Sequence, residues 1–206
     1  MLIKIYPQNP NEKHLNTVIE CLNNSGIVIY PTDTVYGLGC NIYKPKAIER
    51  IARMKGISME KANFSFICHD LSNLSEYCKP IPNNIYRLMR KALPGPFTFI
   101  LEANNNVPKI FHSKKKTIGI RVPDNNIVRE MVRLLGNPIM STSIHDDDVI
   151  VEYTTDPELI HENFIKLVDI VVDGGYGDNE ASTVVDCTSG EAVLVRQGKG
   201  ILEDYL

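Results

Sequence analysis

Residues 26 to 39 read Gly26-Ile27-Val28-Ile29-Tyr30-Pro31-Thr32-Asp33-Thr34-Val35-Tyr36-Gly37-Leu38-Gly39, and the change of character at Pro31 decides how the chain is built. Ile27, Val28 and Ile29 show no polar alternation, the pattern of a strand covered on both faces. Pro31 cannot donate to a sheet ladder and should end that strand. Thr32, Asp33, Thr34 and Tyr36 then supply hydroxyls and one carboxylate, while Gly37 and Gly39 are expected to let backbone approach a bound group. Such a loop at the exit of a buried strand is either a ligand site or a hydrogen-bonded turn feeding a second strand.

Outward from this stretch, short apolar strands alternate with helical periodicity, which predicts a single α/β or α+β domain over residues 1–206. Helices are expected over Asn11 to Leu22, with Leu15, Val18 and Ile19 on one side, and from Pro45, a good first-turn residue, to Gly56. Asn63 to Cys68 reads as a strand, with Asp70 capping a short helix toward Tyr77. Ile85, Leu88 and Met89 mark another helix, closed by Pro94-Gly95-Pro96 before a strand from Phe97 to Leu101. A further helix is predicted between Asp124, as its cap, and Gly136, as its terminator. Asp156-Pro157 reads as a cap followed by proline at the first helical position. The last third is rich in strand, with Ile170 to Val172, Thr183 to Cys187 and Val193 to Val195, the last two joined by Thr188-Ser189-Gly190.

A chain of 206 residues, 43% of them hydrophobic, can bury a sizeable core. No apolar run approaches the roughly 20 residues needed to span a bilayer, so a soluble, cytoplasmic protein without membrane contact is expected. The five cysteines are scattered without a Cys-x-x-Cys pair and read as reduced thiols rather than metal ligands. The net charge of −3 leaves nucleic-acid binding to a local patch.

Three groups of residues stand out chemically. Thr117 to Val122 alternates strictly, placing Ile118, Ile120 and Val122 on one face and Thr117, Gly119 and Arg121 on the other. Arg121 beside a glycine suits a carboxylate or phosphate held by a bidentate fork, or a strand-end salt bridge. Ser141-Thr142-Ser143 follows an apolar strand and can hold phosphate oxygens or cap a turn. Lys114-Lys115-Lys116, the densest positive run, is either a contact for RNA phosphates or a solvated loop. Asp146-Asp147-Asp148 reads as a solvated acidic loop. No Walker-type or dinucleotide-binding glycine motif is present.

Pro31-Thr32-Asp33-Thr34-Val35-Tyr36-Gly37-Leu38 resembles the signature of the YrdC-like family, the threonylcarbamoyl-AMP synthases of tRNA modification. The resemblance continues in order through Lys55-Gly56, Leu93 to Thr98, Gly119 to Pro123, Ser141-Thr142-Ser143, Ser182 to Asp186 and Val195-Arg196, and Asn63 to Ser72 is most similar to the YciO-like branch. It implies a twisted mixed or antiparallel sheet flanked by helices and enclosing a basic hollow. It implies a nucleotidyltransferase that combines L-threonine, bicarbonate or CO2 and ATP into threonylcarbamoyl-AMP and pyrophosphate. Mg2+ would arrive with the phosphates, and no side chain would act as a nucleophile. By the same resemblance Thr34, Arg121 and Ser182 would hold threonine, and Lys55, Ser141, Ser143 and Arg196 would face the nucleotide. Two departures are visible: the family's Lys-x-Arg is Lys55-Gly56-Ile57 here, and its Ser-x-Asn is Ser143-Ile144-His145. They suit the alternative implied by the YciO-like branch, a binder of tRNA or double-stranded RNA with little synthase activity.

Overall fold

The computed structural model describes residues 1–58, 64–111, 116–144 and 154–206. Its strands are β1 (Leu2–Lys4), β2 (Val28–Tyr30), β3 (Gly37–Asn41), β4 (Ser65–Ile67), β5 (Phe97–Glu102), β6 (Thr117–Arg121), β7 (Ile139–Ser143), β8 (Ile170–Asp173), β9 (Thr183–Asp186) and β10 (Val193–Arg196). The helices are α1 (Glu12–Asn23), α2 (Pro45–Met54), α3 (Asn83–Ala92), α4 (Asn126–Leu135) and α5 (Pro157–Phe164). All the strands join one mixed sheet in the order β1-β8-β2-β3-β7-β4-β6-β5-β9-β10. Pairing is parallel at β1·β8, β2·β8, β4·β6 and β5·β9 and antiparallel elsewhere. The expected mixed sheet with flanking helices is therefore what forms. No helix among the described residues is long and apolar enough to cross a membrane.

Strand periodicity divides the core in two. Ile29, Phe66, Met140 and Val171 point to one face and pack with Ile48 and Ile51 of α2 and with Ile85 and Met89 of α3. Val28, Tyr30, Ile67, Ile139 and Val172 point to the other and pack under Leu15, Val18 and Leu22 of α1 and Ile127, Val128 and Met131 of α4. Ile27, Val28 and Ile29 are all fully buried, as the unalternating run predicts for a strand with cover on both sides.

Two capping residues differ from expectation. Asn125, not Asp124, caps α4, accepting from the Ile127 and Val128 amides at 3.0 and 3.4 Å. Asp70 instead closes a local turn, accepting from the Ser72 amide at 2.8 Å and from its hydroxyl, and the short 3-10 turn Leu74–Glu76 starts after Asn73. At Asp70 an Asx turn takes the oxygen that a helix cap would need, and at α4 the side chain one residue further on takes the cap. Asp156 caps α5 with Pro157 following, and Gly136 ends α4 at φ 77°, both as read. The cysteines are unpaired thiols, all but Cys21 buried.

Candidate functional site

Helices α1 and α4 cover only part of their face of the sheet. Beyond them, register sets small and hydroxylated residues side by side. Gly39 pairs with Ser141, Ser141 with Ser65, and Ser65 with Gly119. Arg121 follows two residues after Gly119 on the same face, opposite Ile67. Thr98 on β5 lies next to Gly119, where an added Cβ would meet its methyl at 3.2 Å and the Ser65 hydroxyl at 2.9 Å. The Thr98 and Ser182 hydroxyls are 2.8 Å apart. The result is a floor of small and hydroxylated residues running across β7, β4, β6 and β5 to Ser182, just before β9.

Arg121 anchors one end of that floor. Its Nη2 donates to Thr34 Oγ1 at 2.5 Å, to Asp33 Oδ1 at 2.8 Å and to Thr32 Oγ1 at 3.2 Å. Thr32 in turn donates to the Val35 carbonyl and accepts from the Thr34 amide, so the loop after Pro31 is braced internally. The Arg121 and Asp33 side chains are each only 10% exposed. Arg121 is buried rather than set on an open strand end, because the 32–34 loop folds back over it. Both readings of the arginine coexist, since the ion pair with Asp33 sits inside the polar floor. Arg121 Nε and Asp33 Oδ2 are buried and have no partner among the described residues. Two orphaned groups of opposite demand, side by side, form a place for a ligand carrying both an acceptor and a donor.

The loop opens onto a cavity of about 520 Å³ bordered by Thr32, Asp33, Thr155, Tyr176, Asp178 and Lys199. Lys199 closes its rim, donating to the Asp33 carbonyl at 2.8 Å and to Asp178 Oδ2 at 2.7 Å. This rim is not the basic hollow the resemblance implies, for Asp33 and Asp178 face Lys199 across it. The Lys199 ammonium holds the Asp178 carboxyl below its ordinary 3.8. A carboxyl with a lowered folded value stabilises above the unfolded value and loses that contribution as pH falls through the folded one. Asp178→Asn is therefore expected to lower the melting temperature slightly near neutrality, with parent and variant converging as the pH falls through the lowered folded value of the carboxyl. A gap that stays constant in an acid series of thermal melts would show that the ion pair does not contribute.

Of the residues singled out in the sequence, Thr34 and Arg121 meet directly, and Ser182 bonds Thr98, which lies beside Gly119 two residues before Arg121. Arg196 also belongs to this end, donating from Nη2 to the Ser182 carbonyl at 2.9 Å. Ser141 lies in the hydroxyl row, and Ser143 is one pleat further along, opposite Gly37. Lys55 stands at the C-cap of α2, a helix that packs on the opposite face, with residues 59–63, outside the described set, between it and β4. Lys114 and Lys115 of the lysine run, His145 and Asp146 to Asp148 also lie outside the described residues. Lys116 is exposed just before β6.

Gly37 and Gly39 give clearance to their own neighbours in the sheet. An added Cβ at Gly37 would lie 2.8 Å from the Tyr30 ring, and one at Gly39 would lie 2.4 Å from the Met140 carbonyl and 3.0 Å from the Tyr30 hydroxyl. The group they admit is Tyr30. Sequence reasoning also missed Thr98, Tyr30 and Lys199. Thr98 had a signal, a lone hydroxyl inside Phe97-Thr98-Phe99-Ile100-Leu101; Tyr30 and Lys199 had none, because their partners are distant in sequence.

Comparison with known proteins places this geometry. A family model for the Sua5, YciO and YrdC proteins, described as telomere recombination, matches residues 20–198. The uncharacterized protein YciO of Escherichia coli K12 is 39% identical over 204 residues, covering 98% of this chain and 97% of its own. The crystal structure of E. coli YciO superposes with a TM-score of 0.91 at 38% identity over 100% of this chain and 99% of that one. A threonylcarbamoyl-AMP synthase of Pyrococcus abyssi is 31% identical over 184 residues, 86% of this chain but 52% of the synthase. The structure of P. abyssi Sua5 complexed with L-threonine matches with a TM-score of 0.89 at 26% identity, covering 99% of this chain and 59% of that one.

Proposed function

Because this chain belongs to the Sua5/YciO/YrdC family, we propose that it is a nucleotidyltransferase of the threonylcarbamoyl-AMP synthase type, acting in tRNA threonylcarbamoyladenosine formation. The observation that carries the reading is the buried Arg121 fork. Among the described residues its three contacts are made from Nη2 and Nε has no partner, so the Nε edge can take a further acceptor. A substrate carboxylate would take that edge, with Thr34 beside it and Ser182 reached through Thr98. An arginine so placed gives planar, two-point recognition that a lysine cannot. The relative from P. abyssi bound to L-threonine supports threonine as that substrate.

The chemistry asks little of the protein beyond placement. The threonine amine and bicarbonate form a carbamate with loss of water. A carbamate oxygen then attacks the α-phosphorus of ATP, and the bond to the β-phosphate oxygen breaks to release pyrophosphate. Alignment, charge neutralisation and exclusion of water supply the rate. Ser141, Ser143 and Arg196 would meet the nucleotide, with Mg2+ bound to its phosphates, and Lys55 would have to reach it from the end of α2.

Pyrophosphate release measured with and without L-threonine and bicarbonate tests the reading. Release that needs both is expected; release indifferent to threonine would overturn it. The departures at Ile57 and His145 should hold the native rate down. Ile57 is 36% exposed just beyond α2, so an arginine there can extend into solvent without displacing core. Ile57→Arg combined with His145→Asn is expected to raise threonine-dependent release about tenfold, the scale of one charge-assisted contact to the departing pyrophosphate. An unchanged rate in the folded double variant would remove these two positions as the limit.

A further inference from the structure

Tyr30 stands in two environments. Its ring is fully buried with Val28, Ile67 and Ile139 beneath α1 and α4, and it fills the space left by Gly37 and Gly39. Its hydroxyl leaves that apolar cluster at the point where helix cover ends, and donates to Ser141 Oγ at 2.6 Å. The direction of this bond has consequences. Burial raises the Tyr30 phenol above its ordinary value, so the group keeps the hydrogen that it donates to Ser141. A serine hydroxyl has one hydrogen and two lone pairs. With one lone pair engaged by Tyr30, Ser141 keeps its hydrogen for another acceptor, and among the described residues none takes it.

We propose that Tyr30 is a positioning residue that fixes the Ser141 hydroxyl as a hydrogen-bond donor aimed at an anionic oxygen, a phosphate oxygen of the nucleotide. This rests on the nucleotidyltransferase reading, in which Ser141 faces the nucleotide. Tyr30 itself touches no substrate. It works through a single hydrogen bond, and Gly37 and Gly39 are the clearance that lets the ring reach across β3 to make it. Without the phenol hydrogen, Ser141 would be free to rotate and to accept as readily as donate, and part of its preorganisation toward an anion would be lost.

The test compares parent, Tyr30→Phe, Ser141→Ala and the double variant by calorimetric titration with ATP, with inorganic pyrophosphate and with L-threonine, after thermal melts show that each is folded. Tyr30→Phe is expected to weaken ATP and pyrophosphate about tenfold, the scale of one hydrogen bond to a charged group, and to leave threonine affinity in place. The double variant should bind no worse than Ser141→Ala, because Tyr30 acts only through Ser141. Additive losses, or a parallel loss of threonine affinity, would show a merely structural tyrosine and overturn the proposal. Unchanged ATP and pyrophosphate affinity in Tyr30→Phe would overturn it while leaving the functional reading intact. A parent that binds threonine but neither phosphate ligand would overturn both.

Discussion

Arg121→Ala is expected to abolish detectable threonine binding and to destabilise the fold by about 3–5 kcal/mol, the usual cost of leaving one partner of a buried ion pair alone. The two side chains are only 10% exposed and 2.8 Å apart, so water cannot replace the guanidinium around Asp33. The two effects separate in the double variant Arg121→Ala/Asp33→Asn. Removing the stranded charge should recover much of the stability, while threonine binding stays lost because the fork is gone. Arg121→Lys keeps the charge and should hold the fold, yet weaken threonine by about 1–3 kcal/mol because a point charge cannot form two parallel bonds. Denaturant melts and calorimetry report the two quantities independently. Unaltered threonine affinity in a folded Arg121→Lys protein would remove Arg121 from the binding site.

Gly39→Ala should cost about 3 kcal/mol, at the upper end of what overpacking exacts. The new Cβ would lie 2.4 Å from the Met140 carbonyl and 2.8 Å from the Ile139 side chain. A carbonyl inside a ladder cannot swing aside, since Gly39 pairs with Ser141 in the middle of the β3·β7 register. The gain of about 0.4–1 kcal/mol that alanine brings by restricting the unfolded chain is too small to offset this. The same Cβ would press on the Tyr30 hydroxyl at 3.0 Å, so the variant should also lose the bond that holds Ser141. A Gly39→Ala protein as stable as the parent in urea would mean that β3 and β7 can slide apart at little cost.

Local chemistry was enough for much of the architecture. The unbroken apolar run at Ile27 to Ile29, proline at the starts of α2 and α5, and glycine at the end of α4 all act within a few residues of themselves, and each feature formed as read. Alternation from Thr117 to Val122 likewise placed Gly119 and Arg121 on one face, because side-chain direction in a strand depends only on its own pleat. Motif resemblance went further and picked out Thr34, Arg121 and Ser182, which the fold brings to one end of a polar floor. Competition between nearby oxygens was less legible, and Asn125 rather than Asp124 took the cap of α4.

What tertiary structure alone decided is who stands beside whom. β7 enters between β3 and β4, and β6 between β4 and β5, an order that no local propensity encodes. That order sets Ser141 next to Ser65 and Gly39, and lets Tyr30 reach a serine 111 residues away. It also turns Arg121 from a residue on a strand face into a buried partner of Asp33, because the loop after Pro31 folds over the strand end. Periodicity is a property of a segment, whereas register, burial and hydrogen-bond partners are properties of the packed sheet. The residue types of the site could therefore be read along the chain, while its contacts came into being only when the strands were laid side by side.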